Sequence, residues 1–181
     1  MATRVILTYA DYAAIPADGR RYELLEGEVS VTSAPSPTHQ EVLGSLFALL
    51  RDHVKSRGLG KVFPSPIDCM LSDTTIVQPD IVYVASGSLP AIGRRGIEGP
   101  PTLVVEVLSP STIQIDRGVK FQLYARHGVP HYWIVDPEAR SIEAYRLAEG
   151  AYELSGRLEK TRPLALAPFP DLVLDPASLW P

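Results

Sequence analysis

The residues of this chain best suited to chemistry are carboxylates in expensive places. Leu103-Val104-Val105-Glu106-Val107-Leu108 is an apolar, β-branched run with one acid inside it, a pattern that predicts an interior strand of a sheet. A lone buried carboxylate is strongly disfavoured unless it is paired, hydrogen-bonded, protonated or bound to a metal. Glu106 therefore needs a partner. Gln78-Pro79-Asp80-Ile81-Val82-Tyr83-Val84 offers a second acid at the mouth of another apolar strand. Two carboxylates from adjacent strands, with a main-chain carbonyl between them, make an oxygen-rich site suited to Mg2+ or Mn2+. Asp116 and Lys120 are four residues apart on the helix that follows, hence on one face. Helical side chains lean toward the N-terminus, so Lys120 can reach back toward the end of the Glu106 strand.

Each of these residues also has a plainer reading. Asp80 follows a proline at a strand start, which is ordinary turn chemistry. Glu106 can be neutralised in a structural bridge with an arginine or with Lys120, and Lys120 can be a solvated partner of Asp116. Glu41 stands three residues after Thr38, a capping-box spacing, and is assigned to structure. Tyr132 and Trp133 fit core and rim better than a base-stacking platform, and Arg94-Arg95 fits a solvated loop.

The elements that must position these groups are short, punctuated by 17 prolines and 13 glycines. A helix is expected over 8–14, capped by Thr8 and stopped at Pro16. Strands over 21–25 and 28–32 form a hairpin turning at Glu26-Gly27. Ser36-Pro37 opens a helix whose apolar positions Val42, Leu43, Leu46, Phe47, Leu49, Leu50 and Val54 share one broad face, and Gly58 ends it. Strands follow over 61–63, 67–72, 76–77 and 80–85, then a loop over 86–101. The Glu106 strand covers 102–108, and a helix runs from about 112 to 127. Strands over 131–135, 141–146 and 151–154 end the pattern. The strand-helix-strand crossover places the 102–108 and 131–135 strands parallel, which gives an α/β domain with a mixed sheet.

The chain's 181 residues, 45% hydrophobic, suffice for one domain with its own core. A net charge of -4 argues against a generic basic nucleic-acid coat protein, although a local basic cleft is compatible with it. Cys69 is the single cysteine, so no internal disulfide or cysteine-rich zinc site can form. The first eight residues lack a secretory pattern and no apolar run approaches a membrane span, so a cytoplasmic protein with no membrane partner is expected.

Several motifs in order carry a family resemblance: Tyr22-Glu23-Leu24-Leu25-Glu26-Gly27-Glu28, Ala34-Pro35-Ser36-Pro37-Thr38-His39-Gln40, Gln78-Pro79-Asp80-Ile81, Val104-Val105-Glu106-Val107-Leu108-Ser109-Pro110-Ser111-Thr112, Asp116 with Lys120, and Gly128-Val129-Pro130-His131-Tyr132-Trp133-Ile134-Val135-Asp136-Pro137. Together they resemble the Uma2 family over roughly residues 20–150. The resemblance implies a single domain over 1–181 with a restriction-endonuclease-like PD-(D/E)xK fold, a central mixed β-sheet flanked by helices with β-hairpin additions. It carries the first nuclease aspartate onto Asp80 and the second acid onto Glu106. The lysine of the general pattern falls on Leu108, and in Uma2-like chains its counterpart is on the next helix, here Lys120.

The activity so implied is metal-assisted hydrolysis of phosphodiester bonds in nucleic acid, DNA first, as an endonuclease. Asp80, Glu106 and the main-chain carbonyl of Val107 would hold Mg2+ or Mn2+, and Lys120 would complete the catalytic set. Glu26, His39, Gln40 and Asp116 are candidates for an outer ring. A homodimer suits an enzyme that must cut both strands of a duplex. The competing readings are a catalytically inactive nucleic-acid- or metal-binding module of the same fold, and a structural protein in which Glu106-Lys120 is only an ion pair.

Overall fold

The computed structural model describes residues 5–159 and 162–181. Residues 1–4, which begin the segment read for a secretory pattern, lie outside the described residues. A short helix α1 (Tyr9–Ala13) starts where expected, with the Asp11 carboxylate reaching back to accept from the Thr8 main-chain N–H at 2.8 Å. Strands β1 (Arg21–Leu25) and β2 (Glu28–Thr32) form the expected hairpin. At its tip Glu26 has φ 51° and Gly27 φ 82°, the left-handed pair that a tight two-residue hairpin turn demands.

Helix α2 (Pro37–Arg57) is capped by Ser36, whose hydroxyl accepts from His39 N–H at 3.2 Å, and ends on Gly58 in the left-handed conformation. The Thr38–Glu41 spacing is therefore not the cap, because Thr38 already lies inside the helix. Strands β3 (Gly60–Pro64), β4 (Cys69–Ser72), β5 (Thr75–Val77) and β6 (Ile81–Ala85) follow. The expected loop over 86–101 contains a 3-10 turn and a two-residue strand, β7 (Ile97–Glu98), that pairs parallel with β4. Here Arg95 pairs with Glu98 at 3.0 Å and stacks on Tyr9.

Strand β8 (Leu103–Val107) is buried along its whole length. The helix expected over 112–127 is a wide π turn, Ile115–Lys120, leading into α3 (Phe121–Arg126). Strand β9 (His131–Asp136) lies parallel to β8, as the crossover predicts. Strands β10 (Ser141–Ala148) and β11 (Ala151–Leu158) make a long hairpin with a bulge at Ala144/Tyr145. β12 (Leu164–Ala165) and β13 (Val173–Leu174) form a small closing ladder.

These strands build a six-stranded mixed sheet, β11-β10-β9-β8-β6-β3, and a five-stranded sheet, β2-β1-β5-β4-β7. Side-chain alternation along β8 divides the core in two. Leu103, Val105 and Val107 pack against α2 and the C-terminal residues Leu166, Phe169, Leu174 and Leu179. Val104 and Leu108 pack against Leu123 and Tyr124 of α3 and against Cys69, Val77 and Ile97 of the smaller sheet. Glu106 shares that second face. Residues beyond 150 thus complete the core: the Phe169 ring meets those of Tyr83, Trp133 and His53. Tyr132 and Trp133 are both fully buried, so both belong to the core.

Candidate active site

β6 and β8 run antiparallel, with Ile81 opposite Val105. One step along that register brings Asp80 abreast of Glu106. The Asp80 Oδ2 atom accepts the main-chain N–H of Val107 at 2.8 Å. In a strand a residue's N–H and C=O serve the same side, so the Val107 carbonyl is directed toward the Asp80 side as well.

The β1 strand supplies two further groups by the same alternation. Arg21 NH1 lies 3.4 Å from Asp80 Oδ1, and another Arg21 nitrogen donates to the Gln78 carbonyl. Glu23 Oε1 accepts the Gln78 main-chain N–H at 2.7 Å. The Gln78 side chain is held in turn by Asp68 and Tyr12, at 2.7 and 3.2 Å. The first turn of α2 presents His39, with Nε2 3.2 Å from Asp80 Oδ2.

The helix after β8 supplies Asp116, Lys120 and Tyr124. They are spaced by four residues, a spacing that drifts around an ordinary α-helix. A π turn is wider than an α turn, so its drift opposes that of the α turn after it and keeps the three in line. Lys120 Nζ reaches Glu106 Oε1 at 2.9 Å, Glu23 Oε1 at 3.0 Å and Asp116 Oδ1 at 3.7 Å. The Tyr124 hydroxyl donates to Glu106 Oε1 at 2.7 Å. Tyr132 braces the π turn by donating to the Asp116 carbonyl at 3.1 Å. Leu108, where the general nuclease pattern has lysine, is a core residue.

Glu106, Asp116, Asp80 and Lys120 retain only 2, 2, 4 and 4% of their accessible surface, yet all four line one cavity of about 350 Å3. Four carboxylates (Glu23, Asp80, Glu106 and Asp116) face two obligate cations, Lys120 and Arg21. The imbalance is visible in the proton affinities. Burial pushes the Glu106 carboxyl up, against the pull of Lys120, and Asp116, Asp80 and Glu23 push the same way. Asp116 is also raised by burial. At Asp80 burial acts upward, but the His39 hydrogen bond and charge, the Arg21 charge and the Val107 N–H outweigh it and hold the carboxyl low. Lys120 opposes its own desolvation through Glu106, Glu23 and Asp116, which keep it protonated.

Among the described residues no three His, Cys, Asp or Glu side chains form a ready metal cage. The donor set nonetheless suits a hydrated hard cation. Mg2+ keeps several waters and needs only one or two carboxylates. Asp116 Oδ1 is buried and accepts no hydrogen bond, which leaves surplus negative character in the cavity wall.

Of the residues expected from the sequence, Asp80, Glu106, Lys120, Asp116 and His39 converge. Gln40 does not line this cavity; it is exposed and faces a neighbouring recess. Glu26 is a correction: it sits at the hairpin tip and pairs with Arg126 at 2.9 Å on the surface. The hairpin turn needs residue 26 at the tip, and that removes it from the site. Glu23, Arg21 and Tyr124 were not anticipated. The 116/120/124 spacing is a signal that reaches Tyr124. For Glu23 and Arg21 the only local signal is a shared face of β1.

The family model Uma2, described as "Putative restriction endonuclease", matches residues 9–177. An uncharacterized protein of Synechocystis sp. is 42% identical over 66 residues, or 33% of this chain and 35% of that protein. The chain thus spans about a third of the length of the curated relative it matches. The crystal structure of "a putative nuclease belonging to DUF820" from Anabaena variabilis aligns with a TM-score of 0.78 at 20% identity, covering 96% of this chain and 97% of that one. That likeness shows that the two chains share one fold.

Proposed function

Because the chain belongs to the Uma2 family, we propose that it is a Mg2+- or Mn2+-dependent nuclease that hydrolyses phosphodiester bonds within nucleic acid, DNA first. The observation that carries this reading is the meeting of Asp80 and Glu106, from adjoining antiparallel strands, with Lys120 at the floor of one cavity. Asp80 and Glu106, with the Val107 carbonyl, would hold the cation. Once bound, the cation would lower the pKa of a coordinated water and offset charge on the attacked phosphate.

The chain's own groups divide the remaining work. Lys120 is held protonated by three carboxylates, so it is not a general base. Its ammonium fixes Glu106 and Glu23 in place and adds positive charge where the phosphorane builds negative charge. Arg21 and His39 hold Asp80 ionised and ready to coordinate. Tyr124 fixes the rotamer of Glu106. The N-terminus of α2 reaches the cavity wall through Ser36 and His39, and the positive end of the helix dipole there favours an incoming anion.

One observation favours the inactive-module alternative. Glu106 Oε1 already receives both Lys120 and Tyr124, as a purely structural cluster would require. Cleavage separates the two. Wild-type protein is expected to cut DNA when Mg2+ or Mn2+ is added and to stop on chelation. Asp80→Ala and Glu106→Ala should each lose about 100-fold or more in rate while circular dichroism reports an intact fold. If wild-type protein cuts neither DNA nor RNA with any divalent metal, the enzyme reading is wrong.

A further inference from the structure

Resting on that nuclease reading, we propose that the site takes a single polynucleotide strand, such as an unpaired region, a frayed end or a flap, in preference to intact duplex. A second recess of about 710 Å3 adjoins the first. Both are lined by Arg21, His39, Asp80 and residues 31–35, the end of β2 and the start of its connection to α2. The second continues past Asp80 to Arg20, Gln40, Ser65 and Pro66. Asp80 therefore lines both recesses, and together they offer a path for an extended backbone reaching the acids.

Burial of the acids disfavours the rigid alternative. The reacting carboxylates are almost wholly buried at the floor of the smaller cavity. A duplex offers its phosphates on a stiff convex surface that cannot descend to them, whereas one flexible strand can.

Charge and wall chemistry agree. Apart from Lys120, engaged by carboxylates, the obligate cations lining the two recesses are Arg21, which already pairs with Asp80 at 3.4 Å, and the exposed Arg20, 3.5 Å from Asp18. Duplex-binding proteins neutralise many phosphates at once, and this lining has no such row. The walls instead present hydroxyls from Ser30, Thr32, Ser33, Ser109, Ser111 and Thr112. Those suit sugar and phosphate oxygens whatever the base. No Phe, Tyr or Trp ring is among the described residues lining either recess, and the His39 imidazole is held against Asp80 at 3.2 Å, so recognition runs through the backbone and is tolerant of sequence.

The test uses one labelled sequence as single-stranded DNA, blunt duplex, forked duplex with an unpaired arm, and single-stranded RNA. Cleavage is followed with Mg2+ or Mn2+, and binding by anisotropy with Ca2+. Unpaired and forked forms should be bound and cut at least about ten-fold better than blunt duplex, with cuts in the unpaired arm. Blunt duplex handled as well as a single strand overturns the inference and leaves the nuclease reading standing. Selective binding of single strands without cutting upholds the strand preference and overturns the nuclease reading. No binding and no cutting of any form overturns both. Arg20→Glu, an exposed change, should weaken single-strand binding several-fold at an unchanged melting temperature. Unaltered binding would overturn the path through the second recess.

Discussion

Lys120 sits under more constraint than any other side chain of the cavity. Its ammonium is the shared counter-ion of Glu106, Glu23 and Asp116, and removing it leaves three buried acids with Arg21 as the only other obligate cation among the described residues lining the cavity. Lys120→Met should therefore cost about 3–5 kcal/mol in urea denaturation. A Lys120→Met protein as stable as wild type would mean that the acids are already protonated. Glu106→Gln should act in the opposite direction. Burial and three neighbouring carboxylates disfavour the Glu106 anion, so the neutral amide should raise the metal-free melting temperature and abolish the further rise on adding Mg2+. A fall in the metal-free midpoint would support the structural ion pair instead. At this scale the sequence was informative wherever a charge interrupted an apolar strand. That rule finds Glu106 and Asp80, and helix spacing finds Lys120 with Asp116. It does not rank Glu23 above Glu26, because both lie in the same short hairpin and only the pairing of β1 with β5 carries Glu23 inward.

Among the elements, the strand-helix-strand crossover and the first hairpin are legible because each rests on local signals: apolar runs, turn residues and caps. The five-stranded sheet is not. Its β7 has two residues and joins β4 parallel across a long loop, and no periodicity survives in two residues. The segment after residue 158 is opaque for another reason. Its buried Leu166, Phe169, Leu174 and Leu179 are spread among prolines with no helical or strand repeat, and only the completed core explains them. Element pairing also sets a pH response away from the site. His131 on β9 lies opposite Arg146 on β10. Burial first, then the Arg146 charge, depresses its pKa below 6.5. The unfolded chain then binds the proton more readily than the folded one, so this histidine lowers stability as pH falls below about 6.5 and contributes nothing above it. Between pH 7.5 and 5.5 the melting temperature of His131→Gln should fall less than that of wild type. Parallel curves for the two proteins would refute the assignment.

At the scale of the whole molecule, a net charge of -4 has to be reconciled with a polyanionic substrate. The described residues contain no helix long and apolar enough to cross a membrane. In water, long-range repulsion from a polyanion is screened over roughly 8 Å at physiological ionic strength. Affinity must then come from the few groups that meet the strand within that distance. The two recesses offer Arg20 and Arg21 for that, beside hydroxyls and the buried carboxylates with their Lys120 counter-ion. Each phosphate neutralised on a single strand contributes a slope of about -0.7 to log K against log salt. Two arginines, each already facing an acid of its own, therefore predict a slope no steeper than about -1.4 for single-stranded DNA measured in Ca2+ between about 50 and 200 mM salt. Arg20→Glu should bring it toward about -0.7 or shallower. A proteinaceous groove built for duplex, with six or more phosphate contacts, would give a slope of about -5 or steeper. A steep slope here would place the principal nucleic-acid contacts on another face of the molecule. It would also detach the buried acids from the surface that captures substrate.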